Sequence, residues 1–134
     1  MEDVKPTVLV VEDNDAVRNL LGIIFRLDGF EVVACADGGE ALDRLRGGSA
    51  VQLVVTDVNL GPGMDGIDLA ESMRAIFPSI KVLYVSGRDD DDRLRREIQS
   101  GQSAFLMKPF KPRDLTATAR ALLEDVNEGA ASLR

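Results

Sequence analysis

Five short apolar runs of strand length alternate along the chain with segments of helical periodicity. The runs are rich in β-branched residues and cover Thr7–Val11, Glu31–Cys35, Leu53–Thr56, Lys81–Val85 and Ala104–Met107. Short apolar runs of this kind, without a regular polar face, are typical of strands that are buried on both sides of a sheet. The pattern therefore predicts five buried β-strands.

The segments between and after these runs carry apolar residues three and four positions apart, which is the period of an amphipathic helix. In chain order these apolar positions are Val17, Leu20, Leu21 and Ile24; Ala41, Leu42 and Leu45; Leu69, Met73 and, in part, Ile76; Leu94 and Ile98; and Leu115, Thr118, Ala119, Leu122 and Val126. We predict five helices. The first stripe is interpreted as core, and the fourth helix has a thin apolar face that would hold it least firmly.

Alternation of strands and helices with short connections favours a parallel sheet that is covered by helices on both faces. The predicted fold class is therefore α/β, a doubly wound five-stranded parallel sheet with five helices. One domain is predicted at residues 7–127. Residues 1–6 and 128–134 lack periodic apolar content and are predicted to be flexible tails.

Composition narrows the classes of function. With 23 acidic and 16 basic residues the net charge is −7, which opposes direct binding to nucleic acid. No apolar run is long enough to cross a bilayer and the N-terminus does not resemble a signal peptide, so we predict a cytoplasmic protein without membrane insertion. Cys35 is the only cysteine, which excludes an internal disulfide, and the chain has no histidine. Any phosphohistidine must therefore come from a partner.

Polar residues stand at the ends of four of the five predicted strands, namely Glu12 and Asp13, Asp57, Ser86, and Lys108. The carboxyl ends of parallel strands share one edge of the sheet, where ligands bind in such folds. The acids would repel one another unless a hard divalent cation lay between them, and Mg²⁺ leaves positions open for phosphate oxygens. The set predicts a carboxylate nucleophile, a metal site, a hydroxyl donor and a charge-neutralising lysine.

Each residue also has a purely structural interpretation. Glu12, Asp13 and Asn14 precede a predicted helix and could cap it, while Asp57 and Ser86 could open turns. Turn and cap chemistry does not explain why these residues gather at one edge of the sheet. Their joint occurrence therefore favours a phosphoryl-acceptor site.

The motifs that carry these residues resemble the receiver domains of two-component response regulators. The motifs are Val8–Asn14, Val54–Leu60, Val85–Gly87 and Phe105–Phe110, and the resemblance extends over roughly Thr7 to Val126. It implies a flavodoxin-like receiver topology with strand order 2-1-3-4-5. It also implies a domain that catalyses its own Mg²⁺-dependent phosphorylation and dephosphorylation and has no separate substrate.

The resemblance further implies a role for each residue. Asp57 would be the phosphoacceptor, and the Mg²⁺ ligands would be Glu12, Asp13, Asp57 and the backbone carbonyl of Asn59. After transfer Ser86 would contact the phosphoryl group and Lys108 would pair with it. Phe105 would be the aromatic switch residue that turns inward, and the Lys108–Pro109 bond would be cis.

The implied partners are a histidine kinase or histidine phosphotransfer protein, which the family generally receives at helix 1, and a downstream protein target. The target would contact the face made by helix 4, strand 5 and helix 5, and a phosphorylation-dependent homodimer is one option.

The charged residues at the start of helix 4 have a structural interpretation. The run Asp89–Asp92 fits the N-terminal dipole of helix 4, and the arginines that follow fit a solvated face. Docking through Arg95 and Arg96 is a further hypothesis.

The sequence departs from the family pattern at two places. The segment Leu60–Gly66 is one residue longer than the commonest pattern, and Gly87 replaces a frequent alanine.

The alternative functions are a degenerate receiver that acts as a binding scaffold, a flavodoxin-like cofactor binder and an aspartate-nucleophile phosphatase. Acids after strand 1 disfavour a flavin phosphate, Asn59 stands where such a phosphatase needs an acid, and the intact Asp57 argues against a degenerate receiver.

Overall fold

The computed structural model describes residues 5–87 and 92–132, with side chains described as far as Glu124. Its elements are β1 (Thr7–Val11), α1 (Asp15–Leu27), β2 (Glu31–Cys35), α2 (Gly38–Arg46), β3 (Leu53–Asp57), α3 (Gly66–Ile76), β4 (Lys81–Ser86), α4 (Asp92–Gln99), β5 (Ser103–Met107) and α5 (Pro112–Ser132). Of the predicted tails, residues 1–4 and 133–134 lie outside the described ranges, as does the acidic run before Asp92. The helical backbone of α5 continues past residue 127, and the mobility of the tails stays a prediction.

The five strands form one parallel sheet in the order β2-β1-β3-β4-β5, which confirms the predicted topology. The chain moves outward from β1 to β2 and then crosses back to β3. The order of strands therefore reverses between β1 and β3, and folds of this type bind ligands at that point, beyond the carboxyl ends of the strands.

Two apolar cores lie on the two faces of the sheet, which explains why the strands lack a polar face. Leu9 and Val11 of β1 belong to the core beneath α2, α3 and α4, whereas Val8 and Val10 belong to the core beneath α1 and α5. Alternate residues of each central strand thus enter opposite cores. None of the helices within the described ranges combines the length and apolar character that crossing a bilayer would require.

The buried stripe of α1 differs from the predicted one. Leu21 and Phe25 are fully buried, while Leu20, which was interpreted as core, is 56% exposed. Val17 and Ile24 are half-buried at the borders of the stripe. A helix that packs on one sheet face buries only a narrow arc, and the apolar spacing of α1 fits two neighbouring arcs equally well. The prediction for Leu20 was wrong for this reason.

Helix α4 depends on polar contacts because Leu94 is its only fully buried residue in the described part of the chain. Glu97 of α4 forms a short ion pair with Arg74 of α3 and accepts a hydrogen bond from the Tyr84 hydroxyl at 3.0 Å. Arg74 also donates to Ser103 Oγ at 2.6 Å. Burial raises the pKa of Tyr84 far above its ordinary value, so the hydroxyl keeps its proton and donates.

Glu97→Ala is expected to lower the free energy of unfolding by about 2 to 3 kcal/mol, because it leaves the largely buried Arg74 without its carboxylate. The matched control is Glu71→Ala, since Glu71 is 61% exposed and lies 3.9 Å from Arg93. Removal of an exposed charge of this kind costs less than about 0.5 kcal/mol. Urea unfolding of both variants provides the measurement, and equal losses would contradict an anchoring role for Glu97.

Candidate functional site

The polar residues predicted at the strand ends gather at the carboxyl edge of the sheet. Asp57 ends β3 and Ser86 ends β4, while Glu12 and Lys108 directly follow β1 and β5. The β3–β4 register pairs Asp57 with Val85, which sets the ends of these two strands side by side. Glu12 and Asp57 flank the point where the strand order reverses.

Asp57 and Lys108 form the central contact of the site. The Lys108 ammonium lies 2.8 Å from Asp57 Oδ2, and Asp57 Oδ1 accepts a hydrogen bond from the Asn59 backbone N–H at 2.9 Å. The Lys108 backbone N–H donates to the Ser86 carbonyl oxygen at 2.8 Å, and the Lys108–Pro109 bond is cis, as the resemblance implies. The Asp57 side chain is 15% exposed. Its carboxylate is thus oriented by fixed partners and remains reachable from solvent.

Glu12 carries a buried carboxyl group, and only one of its two oxygens accepts a hydrogen bond within the described part of the chain. It is 3% exposed, and its Oε2 accepts a hydrogen bond from the Asn14 backbone N–H at 3.1 Å. Its Oε1 has no hydrogen-bond partner in the described part of the chain and lies 3.8 Å from the Lys108 ammonium. Burial raises the pKa of Glu12, against the Asn14 hydrogen bond and the charge of Lys108, while Asp13 and Asp57 add to the rise. A cation would relieve this arrangement.

The capping interpretation holds for Asn14 and not for the two acids before it. Asn14 Oδ1 accepts a hydrogen bond from the Val17 backbone N–H at 2.9 Å, which caps α1. Asp13 is exposed beside the site, and Glu12 is turned inward. Helix capping therefore leaves the acidic character of Glu12 and Asp13 unexplained.

The oxygen donors at this edge fit an open metal site. They are the carboxylates of Glu12, Asp13 and Asp57, and Glu12 contributes the oxygen that has no hydrogen-bond partner among the described residues. Among the residues that the structure describes, no three acids, cysteines or histidines form a complete metal-binding cluster. Mg²⁺ usually takes one or two carboxylates, keeps several waters and completes its shell with phosphate. The donor set therefore suits Mg²⁺ better than an ion that needs an all-protein cage.

The connection from β3 to α3 packs directly against the backbone of Asp57. The Gly66 N–H donates to the Val58 carbonyl oxygen at 2.7 Å, and a side chain at Gly66 would collide with the Asp57 carbonyl oxygen. Asp65 and Asp68 form a capping box at the start of α3. The role of Gly66 was not predicted, although an acid three residues after Asp65, ahead of an apolar run, is a helix-start signal.

A charged link joins this connection to α4 and was also missed. Arg93 of α4 donates to Asp68 at 2.6 Å and to Asp65 at 3.2 Å. Arg93 follows the two acids by 25 and 28 positions in the sequence, so no local pattern reveals the pairing. The segment that follows β3 is thereby tied to α4.

Ser86 lies on β4, the strand next to that of Asp57, and Phe105 lies on β5, one strand further out. Ser86 is buried at the end of β4, and Phe105 of β5 is half-buried against the core under α2, α3 and α4. Phe105 pairs with Tyr84 in the β4–β5 register. At the exposed Gly87 a methyl group would meet no atom within 4 Å. The structure thus brings Glu12, Asp57 and Lys108 into one cluster and places Ser86 at its border.

Sequence comparisons place this chain beside signalling proteins. The family model described as "Response regulator receiver domain" matches residues 8–120. The chain is 35% identical over 118 residues to the aerobic respiration control protein ArcA of Escherichia coli, covering 88% of this chain and 48% of the relative. It is 33% identical over 123 residues to the DNA-binding response regulator MtrA of Mycolicibacterium smegmatis, covering 92% and 53%. The chain spans about half the length of the curated relatives it matches.

Solved structures show the same architecture. A CheY-like response regulator receiver domain protein from Methanospirillum hungatei matches with a TM-score of 0.83 and 28% identity, covering 93% of this chain and 99% of that chain. The chemotaxis protein CheY4 of Vibrio cholerae matches with a TM-score of 0.79 and 25% identity, covering 89% and 99%.

Proposed function

Because the chain belongs to the response regulator receiver domain family, we propose that Asp57 accepts a phosphoryl group from the phosphohistidine of a histidine kinase or a histidine phosphotransfer protein. The observation that carries this proposal is the Asp57 carboxylate, fixed 2.8 Å from Lys108 beside the buried Glu12 at the reversal point of the sheet. We place the exchange in the cytoplasm, where the buried, unpaired Cys35 stays reduced.

In the proposed reaction a carboxylate oxygen of Asp57 attacks phosphorus while the bond between phosphorus and the partner's imidazole nitrogen breaks. The imidazole leaves with the bonding electron pair. Lys108 then balances negative charge on the phosphoryl oxygens, as a preorganised cation does in phosphoryl transfer. Glu12, Asp13, Asp57 and the Asn59 carbonyl would hold Mg²⁺, which would supply further charge neutralisation when bound.

Phosphorylation of Asp57 would add about 1.5 to 2 negative charges and three acceptor oxygens beside Lys108. The Ser86 hydroxyl is a neutral donor at the end of β4, and its movement toward the phosphoryl group would open space beside Phe105. The inward turn of Phe105 would favour a second state of the face made by α4, β5 and α5. The ion pairs of Arg93 with Asp65 and Asp68 connect α4 to the start of α3 and so to this change.

The exposed apolar side of α1 supports a docking site for the phosphodonor. Leu20, Ile23 and Leu27 are exposed at helical spacing, with Leu27 at 83%. Together with Pro112 and Thr116 of α5 they line a groove of about 360 Å³. A row of apolar residues beside a groove suits the apolar face of a partner helix, so the α1–α5 groove is the proposed contact with the kinase or phosphotransfer protein.

Ile23→Asp is expected to slow phosphoryl transfer from a phosphorylated histidine phosphotransfer partner by about tenfold or more, because it places a charge within the apolar contact. Phosphorylation by acetyl phosphate, which needs no docking surface, should keep its wild-type rate. The matched control is Ile76→Asp on α3, since Ile76 is also an exposed apolar residue. Equal loss with both phosphodonors would contradict a docking role for α1.

The proposed function is tested by intact mass after incubation with acetyl phosphate and Mg²⁺. A single phosphoryl adduct is expected on the wild-type protein, and none is expected on Asp57→Asn or after chelation of Mg²⁺. Absence of an adduct under every condition would favour the binding-scaffold alternative. A coloured purified protein with a flavin spectrum would favour the cofactor-binding alternative.

A further inference from the structure

A second pocket lies at the opposite end of the sheet from Asp57. It is a groove of about 370 Å³ between the connection into β3, the end of α3, the start of β4 and α5. Val51, Phe77, Ile80 and Leu123 supply most of its walls. Its size falls within the range of about 300 to 1,000 Å³ that is usual for small-molecule sites, which are mostly apolar with a few polar groups.

Lys81 lines this groove, and none of the described side chains supplies it with a counter-charge. It opens β4 and is only 8% exposed, although lysine is among the residues that are rarely buried unless paired. Its backbone N–H donates to the Gln52 carbonyl oxygen at 3.3 Å, but its side-chain ammonium has no hydrogen-bond or ion-pair partner among the described side chains, which extend to Glu124. A cation without a neighbouring carboxylate among the described side chains attracts an anion that enters the groove.

The surroundings of Lys81 indicate what kind of anion fits. The groove offers one cation and no arginine among its lining residues, so it suits a single negative charge better than a phosphate. Phe77 is an exposed aromatic residue on its wall, and Ile80 and Leu123 add further apolar surface. A ligand that satisfies both features has one charged end and an apolar body.

We propose that this groove binds a small amphipathic monocarboxylate, that is, an aliphatic or aromatic carboxylic acid. Its carboxylate pairs with the Lys81 ammonium, and its hydrocarbon part lies against Phe77, Ile80 and Leu123. The net charge of −7 repels anions from the surface at large, so the unpaired lysine provides the local attraction. This site is separate from the acceptor site and does not depend on the proposed phosphorylation.

The test is an NMR titration of the ¹⁵N-labelled protein with octanoate and, in parallel, with 1-octanol, which has the same chain length and no charge. Octanoate is expected to shift the amide signals around the groove, from residues 50–52, 77–81 and 123, and not those around Asp57. Because the alcohol cannot form the charge-assisted hydrogen bond, 1-octanol should bind at least about tenfold more weakly than octanoate.

Lys81→Met is expected to abolish the preference for octanoate over 1-octanol and to keep the weak binding of the alcohol. Lys111→Met, at an exposed lysine outside the groove, should keep the full preference. The same shifts should appear in Asp57→Asn, which separates this result from the phosphorylation assay. The proposal is overturned if octanoate shifts no groove signals, which is the result expected when only a protein partner occupies the groove. It is also overturned if both ligands bind the wild-type protein equally well.

Discussion

Gly66→Ala is expected to lower the free energy of unfolding by about 2 to 3 kcal/mol. The added methyl group would fall well inside van der Waals distance of the Asp57 carbonyl oxygen and 3.1 Å from Val58 Cα. Both obstacles are backbone atoms, so a rotamer change cannot relieve the collision and α3 must move away from β3. That movement also strains the hydrogen bond from Gly66 to Val58.

The matched control for Gly66 is Gly39→Ala. Gly39 lies in the first turn of α2, and its nearest neighbour to an added methyl group is the Asp37 carboxylate at 3.4 Å, an ordinary contact. Alanine in a helix is expected to be neutral or to stabilise the protein by up to about 1 kcal/mol. Urea unfolding of the two variants measures the difference, and a Gly66→Ala protein as stable as Gly39→Ala would contradict the described packing beneath Asp57.

Lys108→Met is expected to have two opposite effects at the acceptor site. The rate of Asp57 phosphorylation by acetyl phosphate should fall by about 100-fold, which is the usual effect of removing one preorganised group that stabilises developing charge. The affinity for Mg²⁺ should rise, because the ammonium 2.8 Å from Asp57 and 3.8 Å from Glu12 no longer opposes a second cation. Both quantities are measured on the same protein, by intact mass over time and by Mg²⁺ titration.

The control for Lys108 is Lys111→Met, which removes the same charge from an exposed position nearby in sequence. It should change neither the phosphorylation rate nor the Mg²⁺ affinity by more than a small factor. If Lys108→Met lowered both quantities together, loss of local structure would explain the result better than loss of a charge. If it altered neither, the contact with Asp57 would have no part in the chemistry.

The strands could be predicted from the sequence because each is a run of apolar residues that enters both cores. The bounds of β1 and β2 were predicted as observed, and β3 and β4 each extend one residue further, to Asp57 and Ser86. Those final residues are polar because they belong to the site as well as to the strand. The face of α1 that packs on the sheet was harder to predict, because Leu20 and Leu21 are both apolar and only the packing decides which of them is buried.

The core of the site was predictable for a topological reason. Parallel strands bring their carboxyl ends to one edge, so Glu12, Asp57 and Lys108 had to lie near one another once the strands were identified. The ion pairs from Glu97 to Arg74 and from Arg93 to Asp68 were not predictable, because they join charged residues of different helices that look like ordinary surface positions. Lys81 was hidden in the same way, as a lysine at the start of a strand.

The proposal that Asp57 accepts the phosphoryl group is tested most directly by locating that group on the chain. Protein phosphorylated with acetyl phosphate and Mg²⁺ is treated with sodium borohydride, which reduces an aspartyl phosphate to homoserine, and is then digested and sequenced by mass spectrometry. Homoserine is expected at position 57 and nowhere else, with none in samples from which Mg²⁺ was withheld. Homoserine at position 13, or a stable phosphoryl group on a serine or threonine, would contradict the assignment of Asp57 as the phosphoacceptor.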